Sequence, residues 1–246
     1  MPRVAREKSI TGFYHVMVRG VGKQIIFEEA NDYYFYLKML EKYATETDIE
    51  ICAYCLMDNH VHLLVRDMKD NLALFMKKLG VVYAIYYNTK YERNGHLFQD
   101  RYKSKAINDE RYLLIVFSYI LNNPKNAGID ETNTYRWSSY RDYKYRNGFT
   151  SIDFIMNLLG NVNIDNFLKL ENEITNDYTL EENCKISENV AIQIVRETLG
   201  VESGKILLTY PKDLRDKYIK ELKNKGLSTR QISRLTGISR GVVIKA

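Results

Sequence analysis

Between Ile49 and Arg66 two strand-like segments run into each other across Asp58-Asn59, and this hairpin constrains the fold more than any other stretch of the chain. Ile49 to Leu56 is apolar enough for a buried strand. Asp58-Asn59 is turn chemistry, and the run from His60 to Arg66, HVHLLVR, reads as the antiparallel partner. Side chains alternate across a strand, so His60 and His62 leave one face together while Val61 and Leu63 leave the other.

The flanking sequence extends this hairpin into a sheet. FYHVMVR, residues 13 to 19, alternates as a strand before Gly20 and Gly22 interrupt it. Tyr33, Tyr36, Leu37, Leu40 and Tyr43 recur at helical spacing between Asn31 and Thr47, and Leu72, Phe75, Leu79, Val82, Tyr83 and Tyr86 mark a second long helix. A strand follows near Lys103 to Ile107. Asp109 is placed to cap a third helix through Leu121, which Pro124 is expected to stop. The order β-α-β-β-α-β-α predicts an α+β, ferredoxin-like antiparallel sheet with helices over one face and the other face free for a ligand.

Residues 1–150 are therefore expected to form one domain, 151–186 a linker with partial helix, and 187–246 an all-helical region. Within that last region LSTRQISRLTGISRGVVIKA, from Leu227 to Ala246, has the outline of a helix-turn-helix: Ser228 caps one helix, Thr236-Gly237 turns, and Ser239 caps a second with Val242 and Val243 inward. Charge divides along the same line. Residues 160–202 hold nine acidic and three basic side chains, whereas 203–246 hold eleven basic and three acidic. Such a basic end suits a polyanion, with Arg230, Arg234 and Arg240 as the phosphate contacts, although a solvated charged helix has the same composition. The three cysteines make no disulfide framework, and there is neither a membrane-length apolar run nor a signal-peptide h-region, so a cytoplasmic protein without membrane contact is expected.

Two imidazoles on one strand face can hold a divalent ion, but two ligands do not close a site, and a pair on the wet face of a half-exposed strand would look the same. Tyr119 and Asn123 are four apart on the third predicted helix, so their oxygens point one way. If that helix crosses the strand, Asn123 completes a metal site and Tyr119 stands beside it as a nucleophile for a phosphodiester. Taken alone, Tyr119 reads better as a core aromatic on an amphipathic helix, and Tyr102 and Tyr112 are rival nucleophiles.

The set YHVMVRG (14 to 20), CLMDNHVHLLV (55 to 65), GHLFQDRYKS (95 to 104), YILNNPKNAG (119 to 128) and WSSY (137 to 140) resembles the HUH single-tyrosine transposases, especially the REP-associated tyrosine transposases, over about residues 10 to 145. The resemblance implies that His60, His62 and Asn123 hold Mg²⁺ or Mn²⁺. It further implies that Tyr119 cuts single-stranded DNA beside a hairpin through a 5′-phosphotyrosine. Arg19, His96, Gln99 and Arg101 would contact the DNA, His96 having a structural role at the helix-to-strand corner as its alternative. His15 is read as a sheet residue. Relatives of this type work as dimers or monomers, so a homodimer is one expectation. The chain departs from the family pattern at Asn126, where an arginine or lysine is common, and in its C-terminal region, which the simplest members lack. Two rival readings remain: a hairpin DNA or RNA regulator that binds without cutting, and a metal-dependent phosphodiesterase that uses water.

Overall fold

Four segments pair into one antiparallel sheet: β1 (Phe13–Arg19), β2 (Glu50–Met57), β3 (His60–Arg66) and β4 (Lys103–Ile107), in the order β2-β3-β1-β4. They come from a computed structural model, which describes residues 6–175, 188–201, 204–225, 227 and 229–245. Helices α1 (Ala30–Glu46), α2 (Leu72–Lys90) and α3 (Glu110–Asn126) separate and follow the strands. This is the expected α+β, ferredoxin-like order, with β1 and β3 innermost.

The pleat sorts the side chains into two layers. Tyr14, Val16 and Val18 of β1 with Val61, Leu63 and Val65 of β3 are buried in one cluster with Tyr36 and Leu40 of α1 and Phe75, Leu79 and Tyr83 of α2. Asp32 clasps these two helices. It is fully buried and accepts from Lys90 Nζ (2.5 Å), Tyr91 Oη (2.7 Å) and Tyr86 Oη (3.0 Å), so its charge is matched where burial would otherwise be costly. The opposite face carries His15, Met17, His60 and His62, and it is not bare as the sequence suggests. Helix α3 packs against β2, β3 and β4, because its apolar residues surround it nearly on all sides.

Helix α3 also runs past Pro124 to Asn126 instead of stopping before it. The missing N–H falls in the last turn, where it removes a single helical bond, and Leu121, Asn122, Asn123 and Pro124 are all buried there. Packing overrides the local preference.

Much of the stretch expected as linker is folded onto this helix. After α4 (Tyr140–Tyr145) come α5 (Asp153–Leu159) and α6 (Ile164–Thr175), and α6 packs on α3 with the Phe117 and Phe167 ring centroids 6.0 Å apart. By contact the chain divides into Met1–Tyr178 and Thr179–Ala246. The first unit thus extends beyond residue 150, because the buried outer side of α3 needs a cover. Residues 176–187 of the expected linker lie outside the described residues.

The second unit contains α7 (Glu188–Leu199), α8 (Lys212–Asn224), α9 (Thr229–Thr236) and α10 (Arg240–Lys245) around Val195, Leu199, Ile219, Leu222, Ile232 and Val243. Gly237 turns the chain between α9 and α10 at φ 73°, a conformation that glycine adopts without penalty. Val243 is fully buried and Val242 only partly so, while Ser228 lies outside the described residues. Among the described residues, no helix is long and apolar enough to cross a membrane.

Candidate functional site

The β1–β3 ladder sets Arg19 opposite His60 and Met17 opposite His62. Alternation then brings His15 onto the same face, and α3 crosses above. The His60 and His62 ring centroids are 4.9 Å apart, that of Tyr119 is 5.4 Å from His62 and 6.0 Å from His15, and both histidines meet the tyrosine edge-on. Asn123, one turn beyond Tyr119, faces His60 and is almost fully buried. The four residues singled out in the sequence, His60, His62, Tyr119 and Asn123, therefore converge.

Both histidines are neutral at ordinary pH. Burial and then the Arg19 charge push His60 down to about 4, against the opposing pull of Asp58 and of the Asn123 oxygen. Burial, helped by His15, His60 and Arg19, holds His62 well below the usual imidazole range. A neutral imidazole is the form that ligates a metal. His60 Nδ1 lies 2.6 Å from Asn59 Oδ1 and His62 Nδ1 lies 3.0 Å from His15 Nε2, so in each ring it is the Nδ1 edge that makes these contacts. Among the described residues no group of three His, Cys, Asp or Glu could hold a metal, so the Asn123 amide is the third donor on offer. Two imidazoles and one amide fit a divalent ion that keeps open positions for oxygen ligands.

The helix bearing Tyr119 is held at both ends. Asp109 caps it by accepting from Tyr112 N at 2.7 Å. Near its far end the buried Asn122 donates to Ser118 Oγ (3.2 Å) and to the Leu168 carbonyl of α6 (3.3 Å), while Thr132 donates to Asn122 Oδ1 (2.6 Å). Asn122 and Asn123 are thus adjacent residues with separate tasks, one fastening the helix and the other facing His60. The WSSY segment lies along β2: Leu56 N donates to the Trp137 carbonyl and Ser139 N to the Tyr54 carbonyl.

Arg19 stands at the edge of the cluster, half-buried, and among the described residues its Nε has no hydrogen-bond partner. His96, Gln99 and Arg101 are exposed and do not join the cluster. They line a cleft of about 740 Å³ floored by Val18 and Tyr36 of the other sheet layer, together with Lys77 of α2 and Arg6. The loop that bears them is tied to the end of β1 by the bonds from Gln99 N to the Arg19 carbonyl and from Val21 N to the Leu97 carbonyl. Tyr102 belongs to the same cleft, where Arg6 stacks on its ring at 3.8 Å. Tyr112 lies under Lys105 of β4. Of the three candidate nucleophiles, Tyr119 is the one in contact with the histidines. In the second unit Arg234 and Arg240 are exposed, and the Arg230 side chain lies outside the described residues.

Sequence reasoning assigned His15 to the sheet and missed its contact with His62. Its signal was the alternation of His15, Met17 and Arg19, which becomes legible once β1 is known to pair with β3. Lys77 and Arg6 carried no signal beyond ordinary surface charge.

A ferredoxin-like sheet carries paired histidines on an inner strand, beneath a helix that presents a tyrosine and an asparagine, and this donor set has the chemistry to hold a divalent ion beside a hydroxyl nucleophile. Residues 9–123 match the family model described as IS200-like transposase. Among solved structures the chain is similar to a REP-associated tyrosine transposase bound to a REP hairpin, at 16% identity and a TM-score of 0.48 over 62% of this chain and 90% of that one. It is also similar to a candidate transposase from Deinococcus radiodurans R1, at 17% identity and a TM-score of 0.34 over 53% and 99%. No curated protein matches the sequence significantly.

Proposed function

We propose that the chain nicks single-stranded DNA beside a hairpin and transfers the strand, with Tyr119 as the nucleophile. The observation that carries this reading is the placement of the Tyr119 ring against His62, with Asn123 facing His60 one turn along the same helix. A divalent cation, Mg²⁺ or Mn²⁺, held by His60, His62 and Asn123 would supply Lewis-acid charge to the scissile phosphate. Tyr119 Oη attacks phosphorus, the bond from phosphorus to the 3′ oxygen breaks, and the phenolic proton passes by way of solvent to that leaving oxygen. The products are a 5′-phosphotyrosine and a free 3′-hydroxyl. One ester replaces another, so the ends can be rejoined or exchanged without ATP.

Arg19 sits where a phosphate approaching His60 would pass, and its charge reaches both histidines. The cleft with His96, Gln99, Arg101 and Lys77 offers cations around an apolar floor with Phe98 and Tyr102, a combination that suits the backbone and unstacked bases of a single strand. In the second unit α9, the turn at Gly237 and α10 serve as a helix-turn-helix that meets DNA phosphates through Arg230, Arg234 and Arg240. In this reading the whole chemical site, with α6 as the cover of its helix, lies within Met1–Tyr178, and 187–246 assist DNA binding. The enzyme works in the cytoplasm, as a monomer or a homodimer.

Hairpin oligonucleotides labelled at either end, incubated with the protein and Mn²⁺, test the reading on a denaturing gel. A protein-linked product retaining the 3′ label, absent from Tyr119→Phe, is expected. Retarded but uncut DNA would favour the regulator that only binds, and cutting that survives Tyr119→Phe would move the chemistry to water or to another tyrosine.

A further inference from the structure

The metal reading leaves one buried imidazole without a task. His15 is 7% exposed, its Nε2 lies 3.0 Å from His62 Nδ1, and the two rings stack at 22° with centroids 5.2 Å apart. It is not a further metal ligand, because the nitrogen it turns toward the site is engaged with the Nδ1 edge of His62, away from Nε2. Two neutral imidazoles joined in this way share one proton, and the ring that supplies it fixes the tautomers of both. If His15 donated, His62 would carry its own proton on Nε2 and could not ligate there. If His62 donates, the lone pair stands on Nε2.

We infer that His15 is a positioning residue whose Nε2 accepts a hydrogen bond from His62 Nδ1–H, holding His62 in the tautomer that offers Nε2 to a divalent cation; this rests on the metal-binding part of the proposed function. A carboxylate commonly serves in this place behind a ligating histidine. Here the acceptor is an imidazole, so it orients His62 without adding negative charge. The ring of Tyr119, edge-on to His15 at 73°, and the β1 backbone keep the acceptor from turning away.

The test uses the full chain without DNA. Long-range ¹H–¹⁵N spectra of the metal-free protein, labelled at histidine, report which nitrogen of His62 is protonated. Protonation at Nδ1 is expected, and protonation at Nε2 overturns the inference. Calorimetric titration with Mn²⁺ alone then compares variants. His15→Phe, which keeps a planar ring but no acceptor, is expected to bind about 10- to 100-fold more weakly. His15→Gln, which keeps an acceptor, is expected to recover most of that loss. Equal affinity in the natural chain and His15→Phe overturns the inference, as does an equal loss in both variants, which would assign His15 to packing. Where His15→Phe does not fold, the spectrum of the natural chain decides. Neither readout involves Tyr119 or cleavage, so a missing phosphotyrosine would leave this inference standing, and its failure would leave the adduct assay untouched.

Discussion

Individual side chains at this site combine chemistry with burial, and each makes a measurable commitment. Asn123 offers a neutral oxygen where a carboxylate would add charge, so Asn123→Asp is expected to bind Mn²⁺ more tightly, on the order of tenfold, by calorimetry. Unchanged or weaker binding would remove Asn123 from the ligand set. Burial also ties the histidines to stability. His15 and His60 titrate near 4 in the folded protein against an ordinary 6.5, so between those values the unfolded chain binds the extra protons. Metal-free protein should therefore hold constant stability above pH 6.5 and lose it as pH falls toward 4. For His15 alone the loss amounts to about 3 kcal/mol at the lower end. A urea midpoint that stays level from pH 7 to 4.5 with chelator present would contradict this. Residue types and spacing allowed His60, His62, Tyr119 and Asn123 to be grouped, and the family resemblance singled the group out; their convergence is what the structure adds. His15 was not, because its role depends on which strand lies beside β3, a long-range fact that no local period encodes.

Elements were legible where local pattern and tertiary packing agree. The four strands, the cap at Asp109 and the starts of α1 and α2 follow from alternation, helical period and turn chemistry. Pro124 was misread because the proline rule is local, whereas the end of α3 is decided by the side chains packed around it. Gly20 shows the same dependence on contact. Its backbone is ordinary, at φ −62° and ψ 145°, yet a Cβ there would stand 2.3 Å from the Gln24 carbonyl oxygen and 2.9 Å from Ile26 Cγ2. Gly20→Ala is therefore expected to shift the end of β1, next to Arg19, and to cost about 1–3 kcal/mol in denaturant unfolding. A variant with an unchanged midpoint would show that the turn after β1 yields freely.

For the whole molecule, two contact units make the boundary a matter of experiment. All four site residues and α6 lie within Met1–Tyr178, so a chain ending at 178 should melt cooperatively and form the Tyr119 adduct. A chain ending at 150 loses Phe167 from against Phe117, the Leu168 carbonyl from Asn122, and Asp165 from Tyr140 and Lys144. It should be less stable by about 3–5 kcal/mol, and a melt equal to that of the longer chain would refute the cover given to α6. In the full chain, replacing both Arg234 and Arg240 with alanine should weaken DNA binding and lower the slope of log affinity against log salt by about 2. An unchanged slope would take the basic end out of the DNA contact. That region's composition announced a polyanion partner, whereas the extent of the first unit was hidden because α5 and α6 lie in a mixed, acidic stretch that reads as connector.

The order β2-β3-β1-β4 bears on how the site moves. His15, His60 and His62 stand on the two inner strands, each hydrogen-bonded to a neighbour on both sides. Opening an inner strand requires nearly the whole unit to unfold, so the amides from His15 to Val18 and from Val61 to Leu64 should exchange with deuterium among the slowest in the chain. Helix α3 has no such ladder, and its amides should exchange sooner. The sheet is then a fixed anvil, and under the proposed function whatever displacement lets a DNA strand reach Tyr119 belongs to the helix.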